Sequence, residues 1–166
     1  TYKYNNPQHA YQEAERIISN WSIGPLLLDY LGLTELPPIP EGVTMLCCDT
    51  NHLTELGNLP STLLSLFCNY NLLTHLPPLP HSLKQIRCDH NQLTELGELP
   101  PNLQFLEFAH NHVTEIPSLP PTLHSLDCSY NPIHRLPHSF PSLMKQLICA
   151  DCYLPILPPL PEFLRY

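Results

Sequence analysis

The sequence predicts a solenoid: short parallel strands stacked along one axis, an extended wall behind them, and a helix closing one end. Three observations predict it. Asn51, Asn71, Asn91, Asn111 and Asn131 recur every 20 residues. Each lies in the same apolar frame, Leu-x-x-Leu-x-Cys-x-x-Asn-x-Leu. The 21 prolines, against 5 glycines, cluster at fixed places in that period. High proline ordinarily signals disorder, but 43% of the residues are hydrophobic, more than a disordered chain carries. The prolines therefore belong to an ordered pattern.

The frame begins as a degenerate copy, Ile23, Leu26, Leu28, Leu31, Leu33, with Leu31 in place of Asn. Val43, Leu46, Cys48, Asn51 and Leu53 form the next, then Leu63, Leu66, Cys68, Asn71 and Leu73. Leu83, Ile86, Cys88, Asn91 and Leu93 follow, then Leu103, Leu106, Phe108, Asn111 and Val113, then Leu123, Leu126, Cys128, Asn131 and Ile133. After a one-residue insertion come Met144, Leu147, Cys149, Cys152 and Leu154. This is the leucine-rich-repeat pattern, about seven copies of 20–21 residues over 23–166. Each Leu-x-Cys core predicts a strand of about three residues with alternating side chains. One copy cannot bury its Leu face alone, but a stack can. The Asn amide can both donate and accept, serving backbone groups that would otherwise be unpaired.

A repeat this short has no room for a helix on its outer face. The return segments, such as Leu36-Pro37-Pro38-Ile39-Pro40 and Leu76-Pro77-Pro78-Leu79-Pro80, predict a convex side of extended, polyproline-II-like chain. Residues 1–22 differ. Asn6 can cap, Pro7 suits the first helical position, and Ala10, Ala14, Ile17, Ile18 and Trp21 recur at helical spacing. An amphipathic helix covering the N-terminal edge is expected. At the other end, Pro155 to Tyr166 continues the apolar pattern with no polar cap, so the edge near Met144–Cys149 is expected to be covered by further chain or to self-associate.

The formal charge of −8 argues against nucleic acid, whose phosphates are bound by Lys and Arg, and against an anionic membrane surface. No run reaches the ~18 apolar residues of a membrane span. The chain opens at Thr1 rather than Met, so a longer parent polypeptide is expected.

Candidate chemistry is thin. Cys149-x-x-Cys152 has the spacing of half a zinc site or a redox pair. The period reassigns Cys48, Cys68, Cys88, Cys128 and Cys149 to one inward column, shared with Leu28 and Phe108, where free Cys is an apolar filler. The other two cysteines are Cys47 and Cys152, and an odd total fits a reducing compartment. His90, His110 and His112 could approach a metal, but their column reads as solvent-facing, and adjacent imidazoles there would repel when charged. Glu35, Glu55, Glu95 and Glu115 form a solvated loop column. No catalytic residue, metal site or cofactor is expected.

The residues flanking the inward ones on each strand predict the concave face. Phe67, Arg87 and Phe105 stand out as interface-type anchors, with Arg87 able to stack on either ring. Asp49, Asp89, Glu107 and Asp127 form an acidic surround. Met45 and the column Tyr70, His90, His110, Tyr130 complete the candidate binding set. An apolar centre with an acidic rim is expected to receive a basic or amphipathic protein surface.

The run Leu-Pro-Pro-Leu-Pro-x-x-Leu-x-x-Leu-x-Cys-x-x-Asn-x-Leu-Thr-x-Leu resembles the repeats of secreted bacterial leucine-rich-repeat effectors, the YopM-like proteins and the IpaH/SspH-type E3 ubiquitin ligases. The copies at 33–56, 73–96 and 93–116 match best, and Glu13-Ala14-Glu15-Arg16-Ile17-Ile18 is similar to the ligases' helix before the repeats. Cys152 at the Asn position and the frequency of Cys depart from the family pattern. The resemblance implies a protein-binding module delivered into the host cell cytoplasm, with host proteins as partners. It implies the substrate-recognition part of a ligase, whose catalytic cysteine lies in a separate C-terminal helical domain. The alternative is a YopM-like scaffold or adaptor without catalysis. In neither case is this chain itself an enzyme.

Overall fold

The computed structural model describes residues 2–157, 159, 160, 162 and 164. Thr1, which the sequence reading placed in the cap, and Pro158, Pro161, Phe163, Arg165 and Tyr166 of the last copy lie outside the described residues. Among the described residues one helix, α1 (Pro7–Asn20), precedes seven strands: β1 (Leu26–Leu27), β2 (Met45–Cys47), β3 (Ser65–Phe67), β4 (Gln85–Arg87), β5 (Phe105–Glu107), β6 (Ser125–Asp127) and β7 (Gln146–Ile148). They form one parallel sheet in chain order.

The register is the one the period demands. Leu46, Leu66, Ile86, Leu106, Leu126 and Leu147 lie side by side, and each is fully buried. The columns that begin at Val43, Cys48 and Leu53 run beside them. Cys68, Cys88 and Cys128 fill the same inward column as Phe108, all without exposed surface. Cys149 departs from expectation. It is half-exposed, at the end of its column, beyond which the described residues form no further strand. Cys47, expected on the concave face, is buried.

Asn71 shows what the ladder asparagine does. Its Nδ2 donates to the carbonyls of Cys48 at 3.0 Å, Cys68 at 3.2 Å and Asn69 at 3.2 Å. Its Oδ1 accepts from Leu53 N at 3.0 Å. One buried amide thus serves two repeats, and Asn51, Asn91, Asn111 and Asn131 repeat the arrangement. An Asp would lack the donors and a Leu both functions.

The residue before each ladder position turns the chain inward from a left-handed conformation. Tyr30, Thr50, Tyr70, His90, His110, Tyr130 and Asp151 all have φ between 49° and 58°. For side chains with a Cβ this costs roughly 1–2 kcal/mol each, so the surrounding hydrogen bonds must over-determine it. They do: Tyr70 N donates to Asp89 O at 2.9 Å and His90 N to Ala109 O at 2.9 Å. Behind the sheet the chain returns without regular secondary structure. Each return ends in a Pro-x-x-Leu turn, in which the proline carbonyl accepts three residues on, as Pro80 O does from Leu83 N at 3.1 Å. The wall needs no ladder donors, so proline costs it nothing.

Helix α1 is capped by Asn6, whose Oδ1 accepts from Gln8 N at 2.9 Å and His9 N at 3.3 Å. It packs closely through Ala10 and Ala14, both buried, with Ile17, Ile18 and Trp21 against the core. Ahead of it, Lys3 N and Tyr4 N donate to Tyr30 O and Leu31 O. Gly32, at φ 86°, lies where any Cβ would collide with the Tyr4 carbonyl. At the far end, Met144 and Leu147 are buried, Leu164 joins the core and Leu160 packs against it. Leu160 and Leu164 thus cover part of that edge, while Ile148, Tyr153, Ile156 and Leu157 stay exposed.

Candidate partner-binding face

Three parallel rows of side chains cross the concave face, because each strand shows its first and third residues outward. The first row is Met45, Ser65, Gln85, Phe105, Ser125, Gln146. The second is Leu27, Cys47, Phe67, Arg87, Glu107, Asp127, Ile148. Just past the strands runs a third, with Asp29, Asp49, Asn69 and Asp89.

Arg87 is the hub of the second row. Its guanidinium carbon lies 5.3 Å from the centre of the Phe67 ring, and its Nε is 3.2 Å from Glu107 Oε2. Its charge is therefore largely answered within the row. The guanidinium remains partly exposed on the concave face. Phe105, 41% exposed, belongs to the other row, beside Gln85 and Ser125. Its ring faces His124 at 6.0 Å. Arg87 on β4 stands between the strands of Phe67 and Phe105, and it stacks on Phe67 rather than on Phe105.

The acidic surround divides into two kinds of carboxylate. Asp49 and Asp89 are half-buried ladder acceptors. Asp49 Oδ1 accepts from Asn69 N at 2.7 Å, Asp89 Oδ1 from Ala109 N at 2.7 Å, and Asn69 fills the same role with an amide oxygen at 2.8 Å from Asp89 N. Burial pushes the carboxyls of Asp29 and Asp49 up, and that of Asp89 up to about 6. Glu107 and Asp127 are the carboxylates of the second row itself. The acidic rim is thus narrower than the sequence suggests.

Beyond the rows, the left-handed residues form an aromatic ladder. Tyr70, His90, His110 and Tyr130 stack face to face, with centroids 4.1–4.2 Å apart and planes within 8–14°. Tyr70 and Tyr130 are about half exposed. Burial, then the neighbouring His110, holds the His90 imidazole below its usual range. Stacked rings point their nitrogens in parallel rather than at a common centre, and among the described residues no three His, Cys, Asp or Glu converge as metal ligands. Past Tyr130 an open groove of about 670 Å³ is lined by His112, Pro132, Cys152 and Tyr153. Nothing in one repeat's sequence announces the ladder; it follows from the 20-residue period together with the in-register stack.

The Leucine Rich Repeat family model matches residues 122–143. The structure of a Shigella effector LRR domain superposes with a TM-score of 0.78 at 31% identity, covering 92% of this chain and 69% of that one. The chain belongs to the leucine-rich-repeat domains of bacterial effectors. YopM from Yersinia enterocolitica is similar at 27% identity and a TM-score of 0.55, over 99% of this chain and 51% of that one. YopM from Yersinia pestis, at 24% identity and 0.50, shares the fold. No curated protein sequence matches. Among the described residues no helix is long and apolar enough to cross a membrane. In this effector-type domain, as in repeat solenoids generally, the frame is common and the outward side chains are individual.

Proposed function

We propose that this domain recognises a host protein through its concave face, as the substrate-selecting part of a secreted bacterial E3 ubiquitin ligase. The observation that carries the binding role is the Phe67–Arg87–Glu107 row with Phe105 beside it. It joins exposed aromatic surface to a stacked guanidinium on a rigid sheet, the composition of an interface hot spot. Met45, Tyr70, His90, His110 and Tyr130 border it, and Glu107 and Asp127 suit a basic or amphipathic partner surface. The ligase assignment is supported by α1 ahead of the repeats and by the similarity to the Shigella effector domain. A YopM-like scaffold is the second reading, favoured by the likeness that spans the whole chain. Delivery into the host cytoplasm follows from either.

The test is affinity capture from host-cell lysate with the parent domain and with Arg87→Glu/Phe105→Ala. The parent should retain a specific protein that the double variant binds at least ~30-fold more weakly, the effect of losing about 2 kcal/mol at a hot spot. Equal retention refutes the concave face. Ubiquitin transfer to the captured protein by the full-length polypeptide separates ligase from scaffold.

A further inference from the structure

Cys152 occupies the ladder position that Asn51 to Asn131 fill, and it serves that position poorly. Its Sγ donates to the Cys128 carbonyl at 3.3 Å, reproducing one asparagine bond. It offers no amide oxygen in return. Leu53, Leu73, Leu93 and Val113 each donate to the next ladder Oδ1. Ile133 N instead turns back to Asn131 O at 2.8 Å.

Its surroundings are those of a reactive thiol. Its thiol lies against Cys128, meeting that residue's carbonyl at 3.3 Å, while the Cys128 thiol donates to Ile148 O at 3.5 Å; Cys149 follows Ile148, which pairs with Asp127. Cys152 lines the open groove beside His112, Tyr130 and Tyr153, so solutes reach it. Cys48, Cys68 and Cys88 are sealed in the core, where burial pushes their thiols far up. The thiol of Cys47 is also raised, to about 11. The adjoining Cys128 side chain and the Asn131 backbone hold the Cys152 thiol below its usual range, against burial and the Asp127 and Asp151 carboxylates. A thiolate is the nucleophilic form, and accessible thiolates are the ones that oxidise.

We propose that Cys152 is a redox-reactive thiol that closes a reversible disulfide with Cys128, clamping the last repeat onto the one before it. The oxidant is a hydroperoxide. The Cys152 thiolate attacks one peroxide oxygen, the S–O bond forms as the O–O bond breaks, and hydroxide or alkoxide leaves. The Cys128 sulfur then attacks the sulfenyl sulfur. The S–S bond forms, and the hydroxyl departs as water with the Cys128 proton. Two thiols lose two electrons and the peroxide gains them. A small thiol reverses the step by exchange.

The native domain is treated with one equivalent of hydrogen peroxide, remaining thiols are trapped with iodoacetamide, and the digest is mapped by mass spectrometry. A Cys128–Cys152 link is expected in the parent and in Cys149→Ser, with Cys47, Cys48, Cys68 and Cys88 still alkylatable after unfolding. Cys152→Asn, which restores the ladder residue and so keeps the fold, should lose the link, and its thermal midpoint verifies folding. A Cys149–Cys152 link, a link only between chains, or oxidation of the buried cysteines before Cys152 would each overturn the proposal.

Discussion

At the scale of single residues, each ladder asparagine joins several backbone groups of two repeats through one buried amide. Asn91 donates to Cys68 O, Cys88 O and Asp89 O and accepts from Leu73 N. Asn91→Ala takes one donor from three carbonyls that each keep another, from Asn71, Asn111 and Tyr70, but leaves Leu73 N without its acceptor. A loss of roughly 1–3 kcal/mol, read from the denaturant midpoint, is expected. Cys152→Asn should act in the opposite sense and add under about 1 kcal/mol, by letting Ile133 N exchange its bond to Asn131 O for a ladder amide oxygen of the kind Val113 N has. Asp89 predicts a pH effect. Its carboxyl is raised from 3.8 to about 6 by burial, so the folded state holds the proton more tightly than the unfolded one. The stability this lends is full below pH ~4 and is lost as pH rises through ~6. Asp89→Asn keeps the oxygen that accepts from Ala109 N, as Asn69 does naturally. It should flatten that part of the stability–pH curve and gain under about 1 kcal/mol at pH 7, since the carboxylate is partly solvated and screened. A curve that keeps the same slope between pH 4 and 6 in the variant would exclude Asp89 as its source.

At the scale of elements, α1 depends on closeness. Ala10 and Ala14 have no exposed surface, so Ala14→Leu should force the helix off the stack at a cost of ~1–3 kcal/mol in thermal or chemical unfolding. Asn6→Ala should cost about 1 kcal/mol through the lost cap. The seven strands and the role of the asparagines are legible in the sequence because the same constraint is printed in each copy, and this helix because Asn6, Pro7 and the helical spacing of its apolar residues announce it. Other features are not, for physical reasons. The left-handed residues are Tyr, His and Thr, with Asp151 in the last copy, rather than Gly or Asn, so composition gives no turn signal at Tyr70 or His90. The structural duty of Asp49 and Asp89 needs the register, which aims each carboxylate at a backbone N–H twenty residues on. Cys149 shares the pattern of Cys88, but its outer neighbour is missing. Phe67 and Phe105 both flank an inward leucine, yet they stand on opposite sides of it. Chain position alone therefore placed them nearer to one another than the rows allow.

At the scale of the whole molecule, each repeat touches only its neighbours, so stability is distributed along a line. Amide exchange should be slowest for the buried donors of β3 to β5, such as Cys68 N and Cys88 N. It should quicken toward β7, where the asparagine ladder stops at Cys152. Uniform protection from β2 to β7 would contradict a nearest-neighbour solenoid. The link between repeats is also one-directional. Each asparagine reaches back toward the N-terminus with its donors and receives a backbone N–H from the preceding copy, so the two ends are chemically different. An in-frame duplication of one interior repeat in the gene would meet the same partners on both sides and disturb neither terminus. The length of the recognition surface can therefore be inherited as a trait separate from its chemistry, growing or shrinking by recombination while Phe67, Arg87 and Phe105 change by point mutation.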